Sequence, residues 1–350
     1  MSISQKQLVT LGVVCLARKT FDFTAAFEIY GKLQKELRQI PAITWEIVPE
    51  LVIEVLDAQN AGKWLSTKSL DGLVVISGTF ALGHLVLELQ KAVARPILLW
   101  GLNELPYDGG KIRLNSVCGV NLNASNLYKA GVRNYHITIG DKIDTDWIDA
   151  VRVLHAFKSA HVGLIGYRAH GFFNLDVDEL DLFRQIGVLI DHYELADVFQ
   201  TEADPAMVAH RKAQIPTIFS IEGITSEQIE KVANLTAKFD RFLQNNALTT
   251  VAVRCWPEFA ASFGIAPCAA MSLLQSEGKI LTCEGDVLGS LSMLAHKAVG
   301  GETPFLADFS QVNFEQDFAL LWHCGVAPCN LWDGTCDRSL HTYFEIGRAH

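Results

Sequence analysis

Three short motifs near the carboxyl end carry the residue types that do chemistry: Cys-Trp-Pro-Glu at 255–258, Cys-Glu-Gly-Asp at 283–286 and Trp-His-Cys-Gly at 322–325. Together they supply Glu258, Glu284, Asp286 and His323. Carboxylate oxygens and an imidazole nitrogen suit a single divalent ion, and the same carboxylates can act as general acid and base. Glu258 and Asp286 lie 28 residues apart, and His323 follows Asp286 by 37. Those separations are too long for a local metal loop and suit groups brought together from separate strand ends.

Each residue also has a plainer role. Asp286 stands directly before a helical pattern and would cap it, since negative charge is favourable there. Glu258 follows Pro257 in an apolar setting where an unpaired carboxylate is costly, and His323 sits between Trp322 and Cys324. Arg168, at the end of the run HVGLIGY, suits an anionic substrate group or a surface ion pair. Trp100 and Glu104 lie at and just beyond the end of PILLW, and Trp256 lies beside Glu258. Aromatic faces beside carboxylates suit a sugar, and core packing explains tryptophans equally well. Ser77-Gly78-Thr79 matches no full phosphate loop, and Gly163-x-x-Gly166 is too short for a dinucleotide fingerprint, which disfavours hydride transfer.

These residues need a scaffold. Strands are expected at Leu8–Leu16, Thr44–Pro49, Asp71–Ile76, Pro96–Trp100 and Asn134–Thr138, with helices at Phe23–Glu36, Leu82–Ala92 and Asn121–Lys129. A helical linker at Trp147–Phe157 leads to a second alternating unit. It has strands at His161–Tyr167, Gly187–Tyr193 and Ala247–Arg254 and helices at Val177–Gln185, with Asp176 as its cap, and Thr225–Leu243. Continuous apolar strands between helices predict parallel sheets covered on both faces. The fold class is therefore α/β: two consecutive Rossmann-like parallel-sheet domains, 1–150 and 151–283, followed by a short, incomplete β-containing segment, 284–350. In that segment Val287–Ala298 reads as helix, Phe305–Asn313 and Phe318–Trp322 as strands, and the closing TYFEIGRAH as structured. Ligands gather at the carboxyl ends of such strands, and Glu258 follows one of them by four residues.

Composition bounds the rest. The 350 residues, 49% hydrophobic and 19% charged, describe a folded chain of two or more domains. A formal charge of −10 argues against a nucleic-acid partner. No long uncharged apolar run suggests a membrane span, and LVTLGVVCLA reads as a first strand instead of a signal peptide. The eight cysteines form no CxxC pair and read as reduced, buried thiols of a cytoplasmic protein. Cys324 and Cys329 are close enough in sequence to pair or to bind metal, with buried thiols as the plainer reading.

The run CWPEFAASFGIAPCAAMSLLQSEGKILTCEGDVLGSLSMLAHKAVGG, followed by FALLWHCGVAP, resembles the L-fucose/L-arabinose isomerase superfamily, and most of all its fucose-isomerase-like branch. PILLWGLNE, RLNSVCGVNLNASNLYKAG and HVGLIGYRAHGFF are similar to that branch too, so the resemblance spans about residues 8 to 330. It implies a Mn²⁺-dependent aldose–ketose isomerase acting on a small sugar through a cis-enediol, with Mg²⁺ or Co²⁺ satisfying the same ligand chemistry. Glu258 and Asp286 would bind the metal and move protons, and His323 would be the third ligand. Glu284 competes with Asp286, and both stay open. Trp100, Glu104, Arg168, Trp256 and Glu284 would shape the sugar pocket. The resemblance also implies a homo-oligomer, a trimer or hexamer. Members carry a β-rich domain beyond the histidine, whereas this sequence runs 27 residues past His323, so a shortened C-terminal region is expected. A non-catalytic sugar-binding or regulatory protein, or a metal-dependent sugar lyase or aldolase, are the alternatives.

Overall fold

A computed structural model of the chain describes residues 6–107, 109–343 and 346–349. The chain divides into two compact units, 5–155 and 156–350, the latter taking in 284–350. Two parallel α/β sheets followed by small antiparallel β pairs make up the fold, as the alternating apolar runs imply.

The first unit winds β1 (Val9–Leu16), α1 (Phe23–Leu37), β2 (Ile43–Val52), α2 (Val55–Ser66), β3 (Gly72–Ser77), α3 (His84–Ala92), β4 (Ile97–Gly101), α4 (Ser116–Lys129) and β5 (Tyr135–Ile139), and α5 (Thr145–Ser159) follows. Its sheet is parallel throughout, in the order β2-β1-β3-β4-β5. Successive strand residues point to opposite faces, and both faces are covered. Val9, Leu11, Val13 and Cys15 pack with Ala26, Tyr30 and Leu33 of α1, while Val14 and Leu16 pack with Leu65 of α2 and Leu85 and Leu89 of α3. That double burial explains why these strands read as continuous apolar runs.

The second unit contains β6 (Val162–Ile165), α6 (Glu179–Ile186), β7 (Ile190–Tyr193), α7 (Leu195–Gln200), α8 (Pro205–Ile218), α9 (Ser226–Asn245), β8 (Thr250–Val253), α10 (Cys268–Ser276), β9 (Ile280–Thr282) and α11 (Val287–Ala298). Its parallel sheet runs β7-β6-β8-β9. Val251 and Val253 face the core built with α9 and α10, and Ala252 faces Val287 and Leu291 of α11. Thr225 and Gln228 cap α9 reciprocally. The cap of α6 is Asp178, whose carboxylate accepts the Asp181 N–H at 3.0 Å, and not Asp176 as expected.

Two antiparallel pairs follow: β10 (Asp308–Asn313) with β11 (Phe318–Trp322), and β12 (Leu340–Tyr343) with β13 (Ile346–Ala349). Phe344, Glu345 and His350 of the closing run lie outside the described residues. No helix among the described residues is long and apolar enough to cross a membrane.

Candidate functional site

The carboxyl end of the second sheet is organised by one turn. After β9 the chain passes through Cys283, Glu284 (φ +66°), Gly285 (φ +77°) and Asp286 before α11 begins. The turn is clamped to its neighbours: Ala169 N–H donates to the Glu284 carbonyl at 2.9 Å and Gly285 N–H to the Val253 carbonyl at 3.1 Å. A side chain at 285 would place its Cβ 2.4 Å from the Tyr167 carbonyl oxygen, so only glycine lets the loop after β6 lie this close. Glu284 has no such licence. A non-glycine residue held in the left-handed region costs on the order of 1–3 kcal/mol, and such strain concentrates at functional sites.

The acidic groups around this turn occupy different environments. Glu284 is half-buried, and burial first, then the charges of Asp308 and Asp286, pushes its carboxyl above the usual range. Asp286 caps α11: its Oδ1 accepts the Gly289 N–H at 2.7 Å. The plainer reading of that residue is thus realised, and one of its two oxygens is spent on the helix. Glu258 stands directly before a single wide helical turn at 259–263, makes no capping hydrogen bond to it, and pairs with Arg254, Oε1 to Nη2, at 2.9 Å. Glu258 Oε2 and Arg254 Nε are both buried without a hydrogen-bond partner among the described residues.

His323 follows β11 and is 6% exposed. Its Nδ1 is another buried atom without a partner among the described residues. Burial lowers its pKa, and the Asp308 charge works in the opposite direction. Asp308 pairs with Trp322 across β10 and β11, which brings its carboxylate near both His323 and Glu284. Asp308 and Arg254 were not singled out from sequence.

Two cavities flank the turn. One, of about 310 Å³, is lined by residues that include Tyr167, Arg168, Asp176, Gly285 and Val287. The other, of about 180 Å³, is lined by Trp256, Pro257 and four cysteines, Cys255, Cys268, Cys283 and Cys324. Glu258, Glu284 and His323 are each the chain neighbour of a residue lining that second cavity.

Arg168 lines the larger cavity, where it pairs with Asp176, donates to the Tyr167 hydroxyl at 2.6 Å and lies over the Tyr167 ring at 4.7 Å. Trp256 is 41% exposed and meets Phe172 edge-on, ring centroids 6.1 Å apart. The other two expected pocket residues belong to the first unit and do structural work there. Trp100 is 1% exposed and its indole N–H is taken by the Gly140 carbonyl at 2.8 Å, so no ring face is left for a sugar. Glu104 accepts the N–H groups of Leu105, Leu114 and Asn115 at 2.9, 3.0 and 2.8 Å. Burial raises its pKa, but these backbone donors outweigh it and hold the carboxyl below the usual range. Glu104 is a loop anchor.

Glu258, Asp286 and His323, the expected three ligands, do not converge on one point as their side chains stand. Among the described residues, no three His, Cys, Asp or Glu side chains gather closely enough to hold a metal ion. Asp286 is turned to its helix and Glu258 to Arg254.

No family model matches the chain. It is similar to sulfoquinovose isomerases: 26% identical over 336 residues to that of Priestia megaterium, covering 93% of this chain and 74% of the relative, and 25% identical over 313 residues to that of a Clostridium strain, covering 85% and 69%. These relatives correct the resemblance to the fucose/arabinose isomerases: the likeness that runs along the chain is to sulfoquinovose isomerases. An Actinobacillus succinogenes ABC-transporter solute-binding protein with bound D-allose aligns over 84% of this chain and 93% of its own at 12% identity and a TM-score of 0.22, too low to carry an argument.

Proposed function

We propose that this chain is an aldose–ketose isomerase acting on a sulfonated hexose, with sulfoquinovose the substrate to test first. The observation that carries the reading is the likeness to sulfoquinovose isomerases along 93% of the chain. The chemistry at the turn after β9 supports it.

Isomerisation of an open-chain aldose removes the proton on C2, moves the oxygen protons and returns a proton to C1. It needs one carboxylate that accepts a proton and another group that holds one. Glu258, ion-paired to Arg254, is the base that takes the C2 proton. Glu284, whose carboxyl burial keeps protonated to higher pH, donates to O1 as the enediol forms. Asp286 was the expected second acid; its engagement with Gly289 favours Glu284 in that role. His323, with Nδ1 unmet, orients the O2 hydroxyl. Arg168, a cation on the larger cavity, receives the sulfonate, and Trp256 borders the sugar.

The expected Mn²⁺, or Mg²⁺ or Co²⁺ in its place, finds suitable donor atoms in the unmet Glu258 Oε2 and His323 Nδ1. The side chains as they stand do not surround one point, so they do not fit the ion, and no step is routed through it.

The test is to incubate protein stripped of metal, with and without each of these three ions, with sulfoquinovose and with neutral aldoses in D₂O. Deuterium entry and ketose formation are followed by NMR. Exchange and ketose from sulfoquinovose, lost in Glu258→Gln and Glu284→Gln, are expected. A folded protein that exchanges no proton of sulfoquinovose under any of these conditions overturns the reading.

A further inference from the structure

Arg168 does not face the larger cavity alone. Tyr167, Arg168 and Asp176 all line it, and a single oxygen joins them. Asp176 Oδ1 accepts from the Tyr167 hydroxyl at 2.9 Å and is also the partner of Arg168 Nη1, which donates in addition to the Tyr167 oxygen at 2.6 Å. One carboxylate oxygen thus meets a phenol and a guanidinium together, an arrangement that suits an oxyanion. Arg168 commits only Nη1 to these contacts; its Nε and Nη2 make no hydrogen bond among the described residues.

The two donors are fixed, whereas the acceptor is displaceable. The chain leaves β6 through two successive left-handed residues, Gly166 (φ +78°) and Tyr167 (φ +63°). For a tyrosine that conformation costs on the order of 1–3 kcal/mol. It is held from both sides: Gly166 N–H donates to the Tyr193 carbonyl at 2.7 Å, and Ala169 N–H to the Glu284 carbonyl at 2.9 Å. Asp176 instead follows a short 3₁₀ turn, Phe173–Leu175, and its side chain is 57% exposed against 18% for Arg168. Releasing such a carboxylate to water costs little.

We propose that Tyr167 is the second donor of the anion site and Asp176 its internal occupant: an entering sulfonate places one oxygen where Asp176 Oδ1 stands and accepts from both the Tyr167 hydroxyl and Arg168 Nη1. The proposal rests on the reading under Proposed function and adds how the sulfonate is selected. A sulfonate has three equivalent oxygens, so the other two can meet Arg168 Nε and Nη2. The hydrogen bond between Tyr167 and Asp176 holds the phenol above its ordinary pKa and the carboxyl below its own, so the phenol is a donor and its partner a charged oxygen. A neutral sugar hydroxyl cannot replace the Asp176 charge beside Arg168. The internal carboxylate therefore also rejects unsulfonated sugars, which is discrimination by an unfavourable exchange.

The experiment titrates the full chain with methanesulfonate, followed by NMR of its methyl signal, and with dimethyl sulfone as a neutral probe of similar shape. The wild-type chain should bind methanesulfonate in preference to the sulfone, and Asp176→Asn should bind it more tightly. Tyr167→Phe, made in the Asp176→Asn chain, should then weaken methanesulfonate about 10-fold, as expected for one hydrogen bond to a charged group. That double variant separates a donor from a loop anchor. If Tyr167 only holds Asp176 in place, losing its hydroxyl changes nothing once residue 176 is neutral, so equal affinities of the single and double variants overturn the proposal. It is overturned too if folded wild-type and Asp176→Asn chains bind methanesulfonate no better than the sulfone. The probe carries no sugar and no turnover is read, so failure of the isomerase reading is distinguishable from failure of this site.

Discussion

Arg254 Nη2 stands 2.9 Å from Glu258 Oε1, while one further polar atom of each group, Arg254 Nε and Glu258 Oε2, is buried with no hydrogen-bond partner among the described residues. The pair therefore leaves one donor and one acceptor unmet. Leaving a buried polar group unsatisfied costs about 1–3 kcal/mol, and a hydroxyl, which both donates and accepts, can satisfy each of them. A polyol substrate carries such groups on adjacent carbons.

Glu258→Gln keeps the size and hydrogen-bonding shape of the side chain and removes the base. It is expected to lower kcat for sulfoquinovose isomerisation by about 10²–10⁴-fold. Because the ion pair is partly solvated, its loss should change stability by no more than about 1 kcal/mol. Rates and urea unfolding of the same preparation check both halves. A variant that retains wild-type kcat removes Glu258 from the chemistry.

The opposite shifts of Glu284 and His323 give stability two pH dependences of opposite sign. Glu284 is raised above its ordinary 4.5, so it holds a proton in the folded chain that the unfolded chain has released. Its contribution is full below 4.5 and is lost as pH rises through the folded value. His323 is depressed below 6.5, so the unfolded chain takes up a proton first as pH falls. Stability from that source is full above 6.5 and is lost towards the lower folded value. Thermal unfolding across this range should therefore show Glu284→Gln gaining on wild type as pH rises, and His323→Gln gaining as pH falls. Parallel curves for wild type and either variant would remove that residue's shift.

Arg168 already shares its guanidinium with Asp176, so a sulfonate must compete for it. Arg168→Ala is expected to lower kcat/KM for sulfoquinovose by about 10–100-fold, in line with the loss of a charge-assisted hydrogen bond, and to leave a neutral aldose nearly unchanged. Asp176→Asn removes the competitor and should lower KM for the sulfonated sugar. Equal losses on charged and neutral sugars in Arg168→Ala would assign the residue to loop structure alone.

Sequence patterning carried the central strands, such as β1 and β3, because they are buried on both faces and so read as unbroken apolar runs. Elements without that contrast were missed. α10 is buried from Cys268 through Gln275 and has no polar face to set a helical period. β9 spans three residues, and α8 contains Pro216 near its end. At the site, Glu258, Glu284, Asp286 and His323 were legible as residue types, but their roles depend on what each oxygen or nitrogen touches. Nothing local in the sequence distinguishes Asp286, turned to Gly289, from Glu284, held at positive φ. Asp308 went unnoticed because its importance comes from the cross-strand pairing with Trp322. Trp100 and Glu104 show the same dependence: a strand-end position fixes where a residue starts, and neighbours decide that the Trp100 N–H meets the Gly140 carbonyl and the Glu104 carboxylate meets backbone N–H groups.

The turn itself can be tested at Gly285. Alanine there must accept φ +77° and a Cβ 2.4 Å from the Tyr167 carbonyl, a contact with backbone that no rotamer change relieves. Gly285→Ala is therefore expected to destabilise the second unit by about 2–4 kcal/mol and to displace Glu284 with it. Glu284→Gly acts on the same backbone with the opposite sign: it removes the acid but also the cost of a left-handed glutamate, so the protein should be as stable as wild type or more so, and inactive. Urea unfolding and the deuterium-exchange assay on the two variants separate strain from chemistry. If Gly285→Ala unfolds like wild type, the close approach of the loops after β6 and β9 does not hold the site; if Glu284→Gly turns sulfoquinovose over at the wild-type rate, the proton at O1 comes from another group.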